Sequence, residues 1–195
     1  MKTREYFYRV VSFLTLLSAL YFGSDDRRVA EAYSSRAWRE RLSERTTTLW
    51  IEGQYLGDGI VLNARGELNV TWLERGLSNV LSDDGDVDDW VLDSLNYYFS
   101  NRRETRAKVS GRDVFALNYR AIKNWSFDPT KLTVNGYTIT PDDILTRRIY
   151  WESELAAGSV GTVAVAAPSL KPGQTVELLY EDAAGEFEVP RLRVR

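Results

Sequence analysis

The decapeptide Lys131–Thr140, KLTVNGYTIT, constrains the fold of this chain more tightly than any other stretch. Asn135-Gly136 separates two runs of strand-forming residues, and both tolerate the positive φ that a two-residue type I′ turn demands. The turn fixes a register in which Val134 faces Tyr137, Thr133 faces Thr138, Leu132 faces Ile139 and Lys131 faces Thr140. Strand side chains alternate between faces, so Leu132, Val134, Tyr137 and Ile139 share an apolar face. Lys131, Thr133, Thr138 and Thr140 share a polar one. Such a hairpin is not stable alone; its apolar face must lie over another layer, usually a second sheet.

The sequence around the hairpin has the same rhythm. In Asp113–Ala121, DVFALNYRA, Phe115, Leu117, Tyr119 and Ala121 alternate with Ala116, Asn118 and Arg120, a period-two pattern. Phe127-Asp128-Pro129 turns the chain into the hairpin. Gly161–Ala167 is a small-residue apolar strand, and Leu170–Tyr180 places a Pro-Gly turn before a strand with Val176 and Leu178 on one side. Ala183–Gly185 makes the last turn, and Phe187 and Val189 alternate in the closing strand. Thr140-Pro141-Asp142-Asp143 has the chemistry of a helix start, and Gly158 is a reasonable stop. The strand-friendly Ile149, Tyr150 and Trp151 oppose that reading, so we expect one short turn at Pro141–Asp143 and then a strand through Trp151.

The first half reads differently. Thr46–Glu52 predicts a strand, with a second around Gly59–Leu62 and glycines at 53, 57 and 59 marking turns or a bulge. Thr71-Trp72-Leu73-Glu74 has capping-box spacing, and Leu73, Leu77 and Val80 would share one helical face. Val87, Val91, Leu95 and Tyr98 form the stripe of a second helix that ends in the basic Asn101–Arg106. Residues 33–108 are therefore expected to form a small α+β domain and residues 109–195 an all-β one. Before them, Lys2, Arg4 and Arg9 precede the uncharged Val10–Gly23, which is short for a bilayer span and suits a signal-peptide core. Cleavage after Ala30-Glu31-Ala32 would make residues 1–32 a signal peptide and place the protein outside the cytoplasm, periplasmic or extracellular. No stable membrane span would then remain.

About seven short strands at regular spacing suggest a β-sandwich. The order of a long strand carrying Asn118, the Phe127-Asp128-Pro129 turn, a Gly-rich strand and the Leu170–Gly173 step resembles the immunoglobulin-like domains of exported bacterial proteins and lipoproteins. The resemblance covers roughly residues 112–195. It departs from antibody domains in having no Cys pair, and from the lipoproteins in having no lipidation cysteine. It implies that this region is an immunoglobulin-like sandwich acting in binding or assembly within the cell envelope. With the α+β unit read from the residues before it, the expected fold is an α+β N-terminal unit followed by an all-β immunoglobulin-like sandwich.

The absences in the composition narrow the chemistry further. With no cysteine there is no disulfide, thiolate nucleophile or cysteine metal site, and with no histidine there is no Ser-His triad. A net charge of −3 provides no basic footprint for nucleic acid. Gly57-Asp58-Gly59 lacks a third glycine and puts a carboxylate where phosphate would sit. Asp84, Asp86 and Asp88 have the opening spacing of an EF-hand, but Asp89 stands where that loop needs Gly, and Leu95 where it needs Glu. We therefore expect no metal and no cofactor. Paired acids such as Asp142/Asp143 or Asp88/Asp89 are the only basis for the alternative, a carboxylate-based hydrolase of cell-wall or extracellular polymer. The preferred reading is non-catalytic, with Trp125, Tyr150 and Trp151 as candidate binding residues for a protein or glycan partner.

Overall fold

The computed structural model describes residues 40, 42–58, 60–73, 107–148 and 151–191. Strands run in the order β1 (Thr46–Ile51), β2 (Gln54–Gly57), β3 (Ile60–Leu62), β4 (Gly66–Leu73) and β5 (Arg112–Ala121). They continue with β6 (Trp125–Ser126), β7 (Leu132–Val134), β8 (Tyr137–Thr138) and β9 (Glu154–Leu155), then β10 (Val160–Pro168), β11 (Thr175–Tyr180) and β12 (Ala183–Glu188). They form two four-stranded antiparallel sheets, β1-β4-β5-β10 and β12-β11-β7-β8, and two ribbons, β2-β3 and β6-β9.

The alternation read from the sequence decides which side chains meet. In β11, Val176, Leu178 and Tyr180 are buried while Thr175, Glu177 and Leu179 face out. Phe115, Leu117, Tyr119 and Ala121 of β5 join Leu68, Val70 and Trp72 of β4 and Val163 and Val165 of β10 in one core. The same core takes Leu132, Val134 and Ile139 from the hairpin and Val176, Leu178 and Phe187 from the second sheet. Burying this apolar surface from both sheets is the main source of stability.

The hairpin has the expected register, Thr133↔Thr138 and Val134↔Tyr137, with Asn135 at φ 49° and Gly136 at φ 78°. Leu132, Val134 and Ile139 are buried, and Tyr137 is half-buried against the core. Asn135 also holds the turn to β11: its N–H donates to the Glu177 carbonyl at 2.9 Å, and its Oδ1 accepts from the Glu177 N–H at 2.8 Å.

The sequence-based partition meets the structure at residues 46–73. These residues supply two strands to the first sheet, and β4 pairs with β5 from Gly66↔Ala121 to Leu73↔Val114. The boundary expected at residues 108/109 thus lies between two adjacent strands of one sheet. Thr71 is not a helix cap. It lies in β4, is 1% exposed, and its hydroxyl meets that of Thr46 at 2.9 Å. Leu68, Val70 and Trp72 outweigh the local capping pattern, because together they give β4 a complete inward face. The start of the first expected helix, Thr71–Leu73, is thus strand; the rest of it, the second expected helix, Asp84–Asp88 and the 1–32 leader lie outside the described residues.

Pro141–Asp143 forms the expected short turn, a single 3-10 step. The strand expected after it is not formed over residues 144–148. A lone bridge joins Ile144 to Val165, and the Ala164 carbonyl accepts from the Leu145 N–H at 2.9 Å. The Ala164 N–H donates to Thr146 Oγ1 at 2.8 Å. The segment thus serves the backbone groups of β10 partly through a side chain, which interrupts a regular ladder.

The two sheets approach each other at β1 and β12. A methyl group on Gly185 would fall 2.8 Å from Leu49 Cδ2, so only glycine allows this approach. The Thr47 hydroxyl donates to the Glu186 carbonyl at 3.0 Å across the same seam.

Candidate functional site

The aromatic residues singled out from the sequence occupy three different situations. Trp125 belongs to the core: it is 3% exposed and stands edge-on to Phe127 and Tyr180 at ring separations of 5.4 and 5.9 Å. Beneath it Gly66 leaves room that a Cβ would fill, at 2.6 Å from Cε3 of the indole. Its large apolar ring gains more by joining this cluster than by facing water. Trp151 is half-buried, with its edge toward Phe127 at 6.0 Å. The Arg148 guanidinium lies 4.2 Å from the Trp151 ring centre, donates to the Trp151 carbonyl, and reaches Ser153 Oγ at 3.1 Å. Tyr150 lies outside the described residues. Trp125 and Trp151 thus both pack against Phe127, Trp125 from within the core and Trp151 from a half-exposed position.

Tyr180 anchors the same cluster. Burial pushes its phenol pKa well above the ordinary value, and its oxygen accepts from the Asp128 N–H at 3.0 Å. That bond fixes the Phe127–Pro129 turn against the end of β11.

The acidic pair Asp142/Asp143 is split by its surroundings. Asp142 is exposed, whereas Asp143 is 3% exposed. Asp143 Oδ1 meets Arg112 at 2.7 Å. Its Oδ2 accepts from the Tyr137 hydroxyl at 2.9 Å, and from the Thr140 N–H and hydroxyl at 2.8 Å each. Burial acts to raise its pKa, but the bonds from the Thr140 backbone, Arg112, the Thr140 hydroxyl and Tyr137 outweigh it. The carboxyl is therefore held below the usual carboxylate range. The bond to Asp143 in turn raises the Tyr137 phenol. Arg112 also donates to the Ala166 carbonyl at 2.8 Å, so the network ties the hairpin's exit to β5 and β10. Every acceptor position on this carboxylate serves the fold. Among the described residues no cluster of three or more acidic side chains is placed to hold a metal.

Among the described residues, most of the exposed large apolar side chains lie elsewhere, on or beside the β2–β3 ribbon. The β1–β4 pair ends at Ile51↔Gly66, and the intervening chain leaves the sheet at Glu52 (φ 53°) and turns at Asn63 (φ 61°). The ribbon's base is fixed by the Arg65–Glu52 ion pair at 2.9 Å and by Lys123 Nζ donating to the Asn63 carbonyl at 3.1 Å. Beyond that base Tyr55, Leu56, Ile60 and Leu62 are 64%, 56%, 54% and 45% exposed, and Ile122 beside them is 40% exposed. A shallow depression of about 360 Å³ adjoins β3, lined by Trp50, Val61, Asn63, Ala64, Ile122 and Lys123. Between Gly53 and Asn63 the chain carries one charge, Asp58, at the tip. Tyr55 pairs with Val61 and so lies on one face of the ribbon, whereas Ile60 and Leu62 lie on the other, which leaves both faces with exposed apolar side chains.

Sequence reasoning placed a strand and turn glycines here without recognising the surface. The usable signal was length. Two strands bounded by Gly53, Gly57 and Gly59 are too short to span the core that the longer β4 and β5 bury.

Among the described residues no helix is long and apolar enough to cross a membrane. No protein-family model, curated protein or solved structure matches the chain.

Proposed function

We propose that this protein is a non-catalytic interaction or assembly module, exported to the bacterial cell envelope and built as an immunoglobulin-like β-sandwich. One observation carries the binding role: Tyr55, Leu56, Ile60 and Leu62 project from the body on a ribbon whose base is braced by Arg65–Glu52 and Lys123–Asn63. A braced, solvent-facing apolar ribbon costs solubility, and burial against a partner offsets that cost. Export is supported by the basic start and the uncharged Val10–Gly23 run. The sandwich reading is supported by two antiparallel sheets sharing one core.

The experiment has two arms in the native host. N-terminal mass spectrometry should find Tyr33 or a close neighbour as the first residue, in an envelope or extracellular fraction; an intact Met1 in the cytosol refutes export. Native electrophoresis of gently solubilised envelopes should show the protein in a high-mass complex that Leu56→Asp abolishes while melting behaviour is preserved. Unchanged migration of that variant refutes the ribbon as the contact surface.

A further inference from the structure

We propose that the ribbon's partner is a second copy of this chain, joined edge to edge through antiparallel pairing of the two β3 strands about a two-fold axis at Val61. The inference rests on reading the ribbon as the contact surface.

Three features of the ribbon fit a second copy, and the first is its edge. β1 closes against β12 through Gly185 and Thr47, and residues 144–146 cover backbone groups of β10. The β2–β3 ribbon, like the β6–β9 ribbon and the outer edge of β8, pairs with no further strand among the described residues. Sheet edges that stay solvent-exposed are usually blunted by lysine, proline or inward charge. Gly53–Asn63 contains no lysine, arginine or proline. Its edge is built to be paired.

The second is self-complementarity. In antiparallel pairing the numbers of facing residues have a constant sum, and a closed dimer repeats each contact twice. With Val61 facing Val61 of the second copy, Ile60 faces Leu62 and Leu62 faces Ile60. The two apolar residues on that face of β3 therefore form cross-strand pairs with each other across the axis. The exposed Ile122, beside the depression next to β3, adds apolar area on both sides.

Charge supplies the third. The same register sets Asp58 opposite Ala64 of the second copy, between Asn63, where Lys123 is anchored, and Arg65. The acidic tip of each ribbon thus lies beside the basic base of the other, and the pattern is satisfied twice. A lipid surface fits poorly, because inserting the tip would carry the Asp58 carboxylate toward hydrocarbon.

Sedimentation velocity of the full-length chain over a concentration series tests the proposal, with circular dichroism melts confirming that each variant folds. The expected result is a monomer–dimer equilibrium whose Kd weakens at least about tenfold in Ile60→Glu and in Leu62→Glu. Asp58→Lys and Lys123→Asp should each weaken it, and the double exchange should restore dimer. A monomer across the series overturns the proposal. So does association that survives the β3 variants, as self-association through Val10–Gly23 would, and so does failure of the double exchange to restore dimer. A monomeric protein whose envelope complex is lost in Leu56→Asp refutes the homodimer and leaves the interaction-module reading intact. A β3-dependent dimer without any envelope complex has the opposite meaning.

Discussion

Replacing Ile139 by alanine probes the hairpin where its geometry makes the sharpest distinction. Ile139 is 1% exposed, and its N–H donates to the Leu132 carbonyl at 2.9 Å, so the backbone is held while the side chain fills the core. The substitution removes three carbons, worth about 2.4 kcal/mol at ~0.8 kcal/mol per buried methylene. A residual cavity adds to that, within the range of about 2–5 kcal/mol for such truncations. We expect about 3 kcal/mol, which for a domain of this size lowers Tm by roughly 6–12 °C. Thr138 is the control: it is exposed, and its hydroxyl stands 3.4 Å from that of Thr133, the long limit of a hydrogen bond. Thr138→Ala should cost less than about 0.5 kcal/mol. Urea denaturation of both variants, read as midpoint shifts at unchanged slope, provides the comparison. Equal losses, or a larger loss at Thr138, would show that the assignment of inward and outward faces is wrong.

Two further predictions concern the packing around the hairpin and β10. A carboxyl whose folded pKa lies below its unfolded one stabilises above the unfolded value and loses that contribution as pH falls through the folded one. Asp143→Asn should therefore destabilise at pH 7, with the gap to wild type closing as pH drops below about 4; a gap that is constant with pH would mean that Arg112 and Tyr137 gain nothing from the charge. Gly161→Ala would set a methyl 2.6 Å from Cζ of the buried Tyr119, so overpacking should cost about 1–3 kcal/mol in chemical denaturation, and a neutral result would show that the ring moves freely.

The parts of the fold legible in the sequence are those decided locally. Asn135-Gly136 dictates its own turn, and the turn dictates the register, so no distant residue needed to be known. The alternation was equally plain in β11, where Thr175 and Glu177 face out between buried residues, and in the second half of β5, where Asn118 and Arg120 alternate with Leu117, Tyr119 and Ala121; Val114 and Ala116 of β5 are buried as well. Thr71 was misread because a capping box is also a local pattern, and here a non-local one, the eight-residue pairing of β4 with β5, prevailed. The candidate surface was hidden for a related reason. Tyr55 and Ile60 are residue types that ordinarily fill a core, and only the three-dimensional position of a ribbon leaving the sheet at Glu52 reveals that they face water. Trp125 shows the reverse error: its neighbourhood in the sequence looks like a loop, yet Gly66, far away in the chain, makes the space that buries it.

The seam between β1 and β12 has a consequence for the time course of folding. The bond from Thr47 to Glu186 joins residues 139 positions apart, and it unites the first strand of the described fold with the last. A chain made from its N-terminus can zip β1 onto β4 and β4 onto β5 early, since each pairing needs only what has already been synthesised. Its core nevertheless stays open along one side until Gly185 and the rest of β12 have been made. Contacts of such long separation are slow to form, because a large loop must close before they stabilise anything. The nascent protein is thus held short of the described fold until β12 has been synthesised, and its apolar inner faces stay open to solvent for that interval.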